Sequence, residues 1–548
     1  MRHNDRLMVR FAFGSLLAAL TLSAAGRLPD AQPRGTPTAN TAQTLVAQLD
    51  DADFNVRSAA SRQLNNLPGD ALPVVEAAIR DDTMSAESKL RLQAAVKFLK
   101  PRSFFEARER RREEWEHKML HDAYHQGGHT DPAYDKAVDE AIDAFRTLRY
   151  EPKMNERDPV RAKVVAAFKD AIARGCDDPY IKILCSASIA SRNLSQLPLE
   201  LRNMEPVFNE FLDGKCHPVV KLLVIYRYLP IMHSDRRKMM KGLPEIVRAA
   251  STDPQVPETE MWLVMAQLAS AFNDHSTPPY GFESAAEAYL KARPNDPEAA
   301  TFKGLFEYLV AFRERGRGTP VDPKDQQAFV EWLAKAQTSL QAAWEMDKAH
   351  TTWAATQMIR VKLAQGGGDA ATREAVELWF KRAVESNPDQ GDAYLAKLNY
   401  LIATAGHEAA IQFGRECLAT QNWRAGIPFV LAVAHERYSG NGARQYFANP
   451  ANWRDMEEVY EGCFLNYPND LLHRNHYVYV ALVTRHYATA TRQIEILGDK
   501  SEWYYAPAEH SWGDAKYRRE PPGSRTVTTA PASTRSTTTR PVLTPPAK

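Results

Sequence analysis

LWFKRAVESNPD, residues 378–389, holds a bulky residue, a small one and a proline at fixed intervals: Phe380-x-x-Ala383-x-x-x-x-Pro388. Residues three apart share one face of a helix, so Phe380 and Ala383 point the same way. The small residue lets a second helix approach closely, the bulky one fills the gap to the next, and Pro marks the turn. The same spacing returns at Tyr289-x-x-Ala292-x-x-x-x-Pro297 and Tyr460-x-x-Cys463-x-x-x-x-Pro468. Leu340-x-x-Ala343-x-x-x-x-Lys348 and Phe168-x-x-Ala171-x-x-x-x-Cys176 keep all but the last position. Ala285 and Ala336 add a small residue four before the bulky one. Recurrence at uneven intervals predicts a degenerate array of helix pairs with insertions such as FRERGRGTPVDPKDQQ (312–327). Strand patterning is nearly absent. The expected fold is all-α, an α-solenoid whose repeat domain occupies 151–512.

The spacing resembles the second helix of tetratricopeptide units. A run of strings between 342 and 423 resembles a bacterial tetratricopeptide-like domain family of unknown function: AAWEMD (342–347), QMIRVKLAQGGG (357–368), LWFKRAVESNPD, AYLAKLNYL (393–401) and FGRECLATQNW (413–423). GCDDPYI (175–181) suits the start of that family, and the resemblance covers roughly 150–470. It implies a fold and brings no reaction, cofactor or catalytic residue. Upstream, Asp53-x-x-Val56-Arg57-x-x-Ala60-x-x-x-Leu64, then ALPVVEAAI, then SAESKLRLQAAVKFL ending at Pro101 resemble HEAT repeats over 43–101. Two such units are a small stack, expected to dock on the helices downstream of Pro101.

Residues 102–150 are read as a charged helix and a connecting helix. Between Glu106 and Lys118 five acids balance five bases, many at i,i+3 or i,i+4, which predicts a solvated, salt-bridged helix. Gly127, Gly128 and Pro132 end it, and AYDKAVDEAIDAFRTLRY resumes an amphipathic pattern.

The ends differ from the body. A basic leader, the apolar stretch FAFGSLLAALTLSAA and small residues Ser23 to Ala25 read as a signal peptide over 1–25, cleaved after about Ala25. A Pro/Thr/Ala-rich linker comes next over 26–42. The apolar stretch is shorter than the ~20 residues of a spanning helix, so no membrane span is expected after cleavage. The tail 513–548 is Pro/Ser/Thr-rich and basic, a disordered tether that would contact cell-surface polymer if it binds anything. Just before it, Trp503, Tyr504, Tyr505 and Trp512 read as a capping helix on the last repeat. The leader and the stretch from Pro521 hold +2 and +4 of a formal +1, leaving the rest near −5. That acidity gives no footprint for a nucleic-acid partner.

The sharpest candidate for chemistry is a histidine ladder, His117, His121, His125 and His129, each four residues apart. Imidazoles at i and i+4 share a helix face in the way zinc sites use. HDAYH (121–125) is a near miss to H-E-x-x-H, with Asp122, one methylene shorter, where a general base would stand. Successive four-residue steps drift by about 40° on a 3.6-residue helix, which carries His117 and His125 apart. The alternative is a merely polar helix face. No phosphate-binding glycine loop or nucleophile elbow occurs, and Gly366-Gly367-Gly368-Asp369 is expected as a loop. Cys176, Cys185, Cys216, Cys417 and Cys463 show no metal spacing and read as small residues at helix contacts.

These features together predict an exported, non-catalytic helical-repeat scaffold without cofactor that binds another protein or a peptide. It would work in the periplasm, on the envelope or outside the cell. One alternative is a metal-binding protein or metal-dependent hydrolase on the histidine ladder; another is a structural component of the envelope.

Overall fold

The computed structural model describes residues 38–150, 159–189, 205–228, 236–272, 280–316 and 322–498. The leader, most of the linker, the aromatic cluster at 503–512 and the tail lie outside them. Over the described residues the chain is all-α, with 23 α-helices and no strand.

The first group is α1 (Thr38–Gln48), α2 (Phe54–Asn65), α3 (Leu72–Ile79) and the first half of α4 (Ala86–His125). α1 starts inside the stretch read as linker because Ala42, Leu45 and Leu49 bury against Ala60, Leu64, Val75, Leu92 and Leu99. Asp53 caps α2 by accepting from the Asn55 N–H at 2.8 Å. Arg57 turns back to the carbonyls of Asp51 and Ala52 at 2.8 and 3.0 Å.

α4 runs for 40 residues, about 60 Å at 1.5 Å per residue, straight through Pro101. The expected helix end at Pro101 is therefore wrong, and the physical reason lies beside it. Gly69 sits so close that a Cβ there would fall 2.3 Å from Ser103 Cα. Its N–H donates to Glu106 at 2.9 Å, and Arg102 donates to the carbonyl of Asn65 at 2.9 Å. These contacts just after the proline, with Leu99 buried just before it, hold the helical path that propensity alone would break.

The remaining helices follow in chain order. They are α5 (Asp135–Tyr150), α6 (Pro159–Ala173), α7 (Pro179–Ile189), α8 (Glu205–Asp213), α9 (Pro218–Tyr228), α10 (Arg236–Thr252), α11 (Glu258–Phe272) and α12 (Tyr280–Ala292). Next come α13 (Pro297–Arg315), α14 (Pro323–Met346), α15 (Thr352–Gln365), α16 (Ala370–Ser386), α17 (Gly391–Thr404) and α18 (His407–Ala419). The last are α19 (Phe429–Ser439), α20 (Ala443–Tyr446), α21 (Pro450–Asn466), α22 (Leu471–Val483) and α23 (Tyr487–Leu497). α7, α9, α11, α13, α15, α17 and α19 each pack on the next member of that series, forming one layer. The stretch 312–327, read as an insertion, mostly extends α13 and opens α14. No described helix is long and apolar enough to cross a membrane.

Of the spacing residues, Phe168, Ala171, Tyr289, Leu340, Ala343, Ala383, Tyr460 and Cys463 are buried in the core. Ala292, Pro297 and Phe380 are half-buried, Pro388 is buried and Pro468 is exposed. Pro297 opens α13 behind its cap Asp296. Gly304 of α13 permits the close approach that the spacing implies, since a Cβ there would lie 2.4 Å from Leu340 Cγ of α14.

Candidate functional site

Two arrangements meet on α4. Along its middle, the helix meets the N-terminal ends of five successive members of the layer, and the turn beyond it meets a sixth. Beyond its C-terminus, His129 meets Asp177, just before α7, at 2.9 Å. Trp115 packs edge-on against His217, which precedes α9. Arg112 reaches Glu260 of α11 at 3.0 Å. Arg108 reaches Glu258 of α11 at 3.2 Å and Glu298 of α13 at 2.9 Å. Phe104 stacks on His350 before α15, with centroids 3.7 Å apart. Arg102 grips Asp389 before α17 with two bonds of 2.7 and 2.8 Å. One loop further on, Arg424 donates to Glu106 at 2.7 Å.

The carboxylates stand where a helix dipole favours them, and the arginines of α4 then neutralise them. Over 101–109 no residue of α4 is exposed, and Arg102, Arg112, Glu113 and Glu116 are buried. The expected solvated helix is thus corrected on one side only: Arg102, Arg108 and Arg112 reach acids far away in sequence, while Arg110, Arg111, Glu114 and Lys118 stay exposed and Arg112 also makes the expected pairs with Glu109 and Glu116. Burial works against the charge of Asp389, but Arg102 and Asn422 outweigh it and hold its carboxyl below the ordinary range. Burial pushes Glu298 up to about 7, with Arg108 offsetting only part of the effect and Asp296 adding to it.

At the C-terminal end of α4, α5 folds back antiparallel and changes the meaning of the histidine ladder. His121 Nδ1 lies 2.8 Å from Asp139 Oδ1, and its Nε2 lies 2.8 Å from Asp143 Oδ1. His125 Nε2 is 3.1 Å from the same Asp139 oxygen, and His117 Nδ1 is 3.4 Å from Asp143 Oδ1. Burial opposes the charge on His121, yet Asp143 and Asp139 outweigh it and raise its pKa. The ligand atoms of His117, His121 and Asp143 lie within 4.8 Å of one another, as do those of His121, His125 and Asp139. Three of the four ladder residues are brought together; His129, past the helix end, leaves for Asp177. The carboxylates come from α5 rather than from Asp122. A signal for them existed in the sequence: two Asp at i,i+4, beside the buried Val138 and Ile142, one short loop after the ladder.

A third feature is a polar seam across the layer. α15 and α17 are buried almost all round, yet α15 carries Gln357 and Arg360, 3.3 Å apart, and α17 carries Asn399. Arg437 of α19 donates to Asn399 at 2.6 Å, and Glu436 lies 3.7 Å from His476 of α22. His476 in turn stacks against Tyr479.

Elsewhere, polar groups serve the fold. Gly366 and Gly367 turn the α15–α16 loop with positive φ, and Asp369 caps α16. Asp470 caps α22 and binds His473, while burial drives the neighbouring Cys463 thiol far up, away from the thiolate. All five cysteines are free, four of them buried, and burial raises Cys176 and Cys185 to about 11 and Cys216 to about 12. No family model, curated protein or solved structure matches the chain.

Proposed function

We propose that the chain is an exported helical-repeat scaffold that binds a protein or peptide segment and catalyses nothing. In this reading α5 to α23 are degenerate tetratricopeptide-like helix pairs stacked as a solenoid, and α1 to α3 with the start of α4 are a HEAT-like stack. The export rests on the leader sequence at 1–25. The observation that carries the binding role is α4 itself, which ties five successive helix ends together through directed ion pairs and ring contacts. Association loses free energy to ordering whatever is loose, so an array fixed in advance presents its surface without that loss. The half-buried end of the seam, Glu436, Arg437, His476 and Tyr479, supplies hydrogen-bonding groups along one such surface, with Gln357, Arg360 and Asn399 buried behind it; such groups are the requirement for holding an extended segment.

The test is site-specific photo-crosslinking in the native cell. A photoreactive residue at Tyr479 or Glu436, both half-buried on the seam, is expected to give one discrete adduct. The same residue at the exposed Glu245 on α10 is expected to give none. Adducts that ignore position, or none at the seam, would remove the binding role.

A further inference from the structure

Going beyond the scaffold reading, we infer that His117, His121 and Asp143 form a binding site for one zinc-class divalent transition ion, with Asp139 as the positioning residue behind His121.

The argument begins with donor chemistry. Two imidazoles and one carboxylate suit borderline ions such as Zn²⁺, whereas Ca²⁺ and Mg²⁺ prefer sets made of oxygen alone. Ligand atoms about 2.0–2.1 Å from a tetrahedral zinc stand ~3.3 Å from one another. Asp143 Oδ1 already lies 2.8 Å from His121 Nε2 and 3.4 Å from His117 Nδ1. The two rings are packed edge-on with centroids 4.8 Å apart. Side-chain rotations alone would close the set around an ion.

Two candidate triads share His121, and the surroundings choose between them. His117 Nδ1 is enclosed by protein and makes no hydrogen bond; its near neighbour is Asp143 Oδ1 at 3.4 Å, the other ligand of the set. His125 Nε2, in the other triad, is at hydrogen-bond distance from Asp139. With His121 Nε2 committed to the ion, its Nδ1–H points at Asp139, 2.8 Å away. Such a carboxylate behind a metal-binding imidazole fixes the tautomer and the ring orientation. The helical register makes this possible: on α4 the ladder advances by four, and on antiparallel α5 Asp139 and Asp143 retreat by four, so each imidazole meets the next carboxylate. His117 and Asp143 remain about half exposed, so the fourth coordination position opens to solvent. Three protein ligands and an open position are the composition of a site that keeps a water.

The experiment uses the full chain without a histidine tag, stripped of metal and titrated with Zn²⁺, then with Co²⁺ for its visible spectrum. One ion per chain is expected, with a Co²⁺ spectrum of low coordination number. His121→Ala and Asp143→Asn are expected to abolish stoichiometric binding. Asp139→Asn should weaken it ~10–100-fold while leaving one ion per chain at saturation. His117→Gln should weaken binding strongly, and His125→Ala and His129→Ala should leave it within ~3-fold of the parent. Circular dichroism of each variant checks that it folds, and His117→Gln, on a half-exposed side chain, keeps the test sharp if His121→Ala does not. No binding by the folded parent would overturn the proposal. So would binding that survives His117→Gln but is lost with His125→Ala, because that pattern assigns the other triad.

Discussion

α4 buries two stretches of the same stripe by opposite chemistry. From 88 to 99 the buried residues are Ser88, Leu92, Ala95 and Leu99, and they meet the apolar faces of α1, α2 and α3. From 102 to 116 they are Arg102, Arg112, Glu113 and Glu116, and the two arginines meet the charged ends of helices up to 287 residues away in sequence while Glu116 supports Arg112. The first contact is non-directional and would tolerate small shifts of register. The second is directional, since each guanidinium fits only the carboxylate set opposite it. Apolar burial attaches the helix, and ion pairing fixes where along the array it sits. Buried pairs add little net stability over apolar replacements, but losing one partner is costly.

The largest expected effect comes from breaking the charged stretch at its most buried arginine. Arg102→Ala strands Asp389 and leaves the carbonyls of Asn65 and Leu67 without their donor. Denaturant unfolding should show a loss of about 3–5 kcal/mol. Leu99→Ala, equally buried in the apolar stretch, should lose about 2–5 kcal/mol. The double change Arg102→Met with Asp389→Leu should recover most of the first loss while loosening register, read as faster hydrogen exchange in the loop before α17. A cost for Arg102→Ala below ~1 kcal/mol would mean that the pair does not hold α4 in place.

The contrast also explains how much was legible in the sequence. The D-x-x-V-R pattern and the Phe380 and Tyr289 spacings are local, and their physics closes within one or two helical turns, as at Asp53 capping Asn55. α4 was legible only in its apolar stretch. In the charged stretch an arginine that faces water and one that faces Asp389 are spelled identically, because the partner lies in another part of the chain. Pro101 misled for the same reason: Gly69, whose approach sustains the helix there, gives no sign in the sequence of where it packs. At the histidine ladder the ligand face was legible and the choice of carboxylate was not, since Asp122 is adjacent in sequence whereas Asp139 and Asp143 are adjacent in space.

Glu298 sharpens the comparison through pH. Its carboxyl sits at about 7 in the folded chain, against an ordinary 4.5. An acid whose pKa is raised on folding binds its proton more tightly in the native state. Its contribution to stability therefore grows as pH falls from about 7 toward 4.5 and is lost as pH rises through 7. Asp389 has the opposite sign: its depressed pKa stabilises above the unfolded value and is lost only as pH falls through the lower folded value. Acidification from pH 7 to 5 thus relieves the cost of burying a charged Glu298, at the expense of its ion pair with Arg108, while leaving the α17 clamp charged. Glu298→Gln should flatten the stability profile between these limits by about 1–3 kcal/mol and leave the acid limb below pH 4 unchanged. A profile identical to the parent's would show that Glu298 ionises normally against Arg108.

The smallest expected effect comes from an arginine on the outward side of the same helix. Arg110 pairs with Asp70 at 3.2 Å, but the two side chains are 51% and 55% exposed. The pair has the same chemistry as Arg102 with Asp389 and lies in the same stretch, so the environment is the main difference between them. Water screens an exposed pair and solvates either partner when the other is removed, and holding two long side chains together costs entropy. Arg110→Ala should therefore change stability by no more than about 0.5 kcal/mol, and 1 M salt should erase even that. If Arg110→Ala instead costs as much as Arg102→Ala, burial is not what separates the two sides of α4. The docking of the helix would then rest on its overall charge rather than on the individual pairs that fix its register.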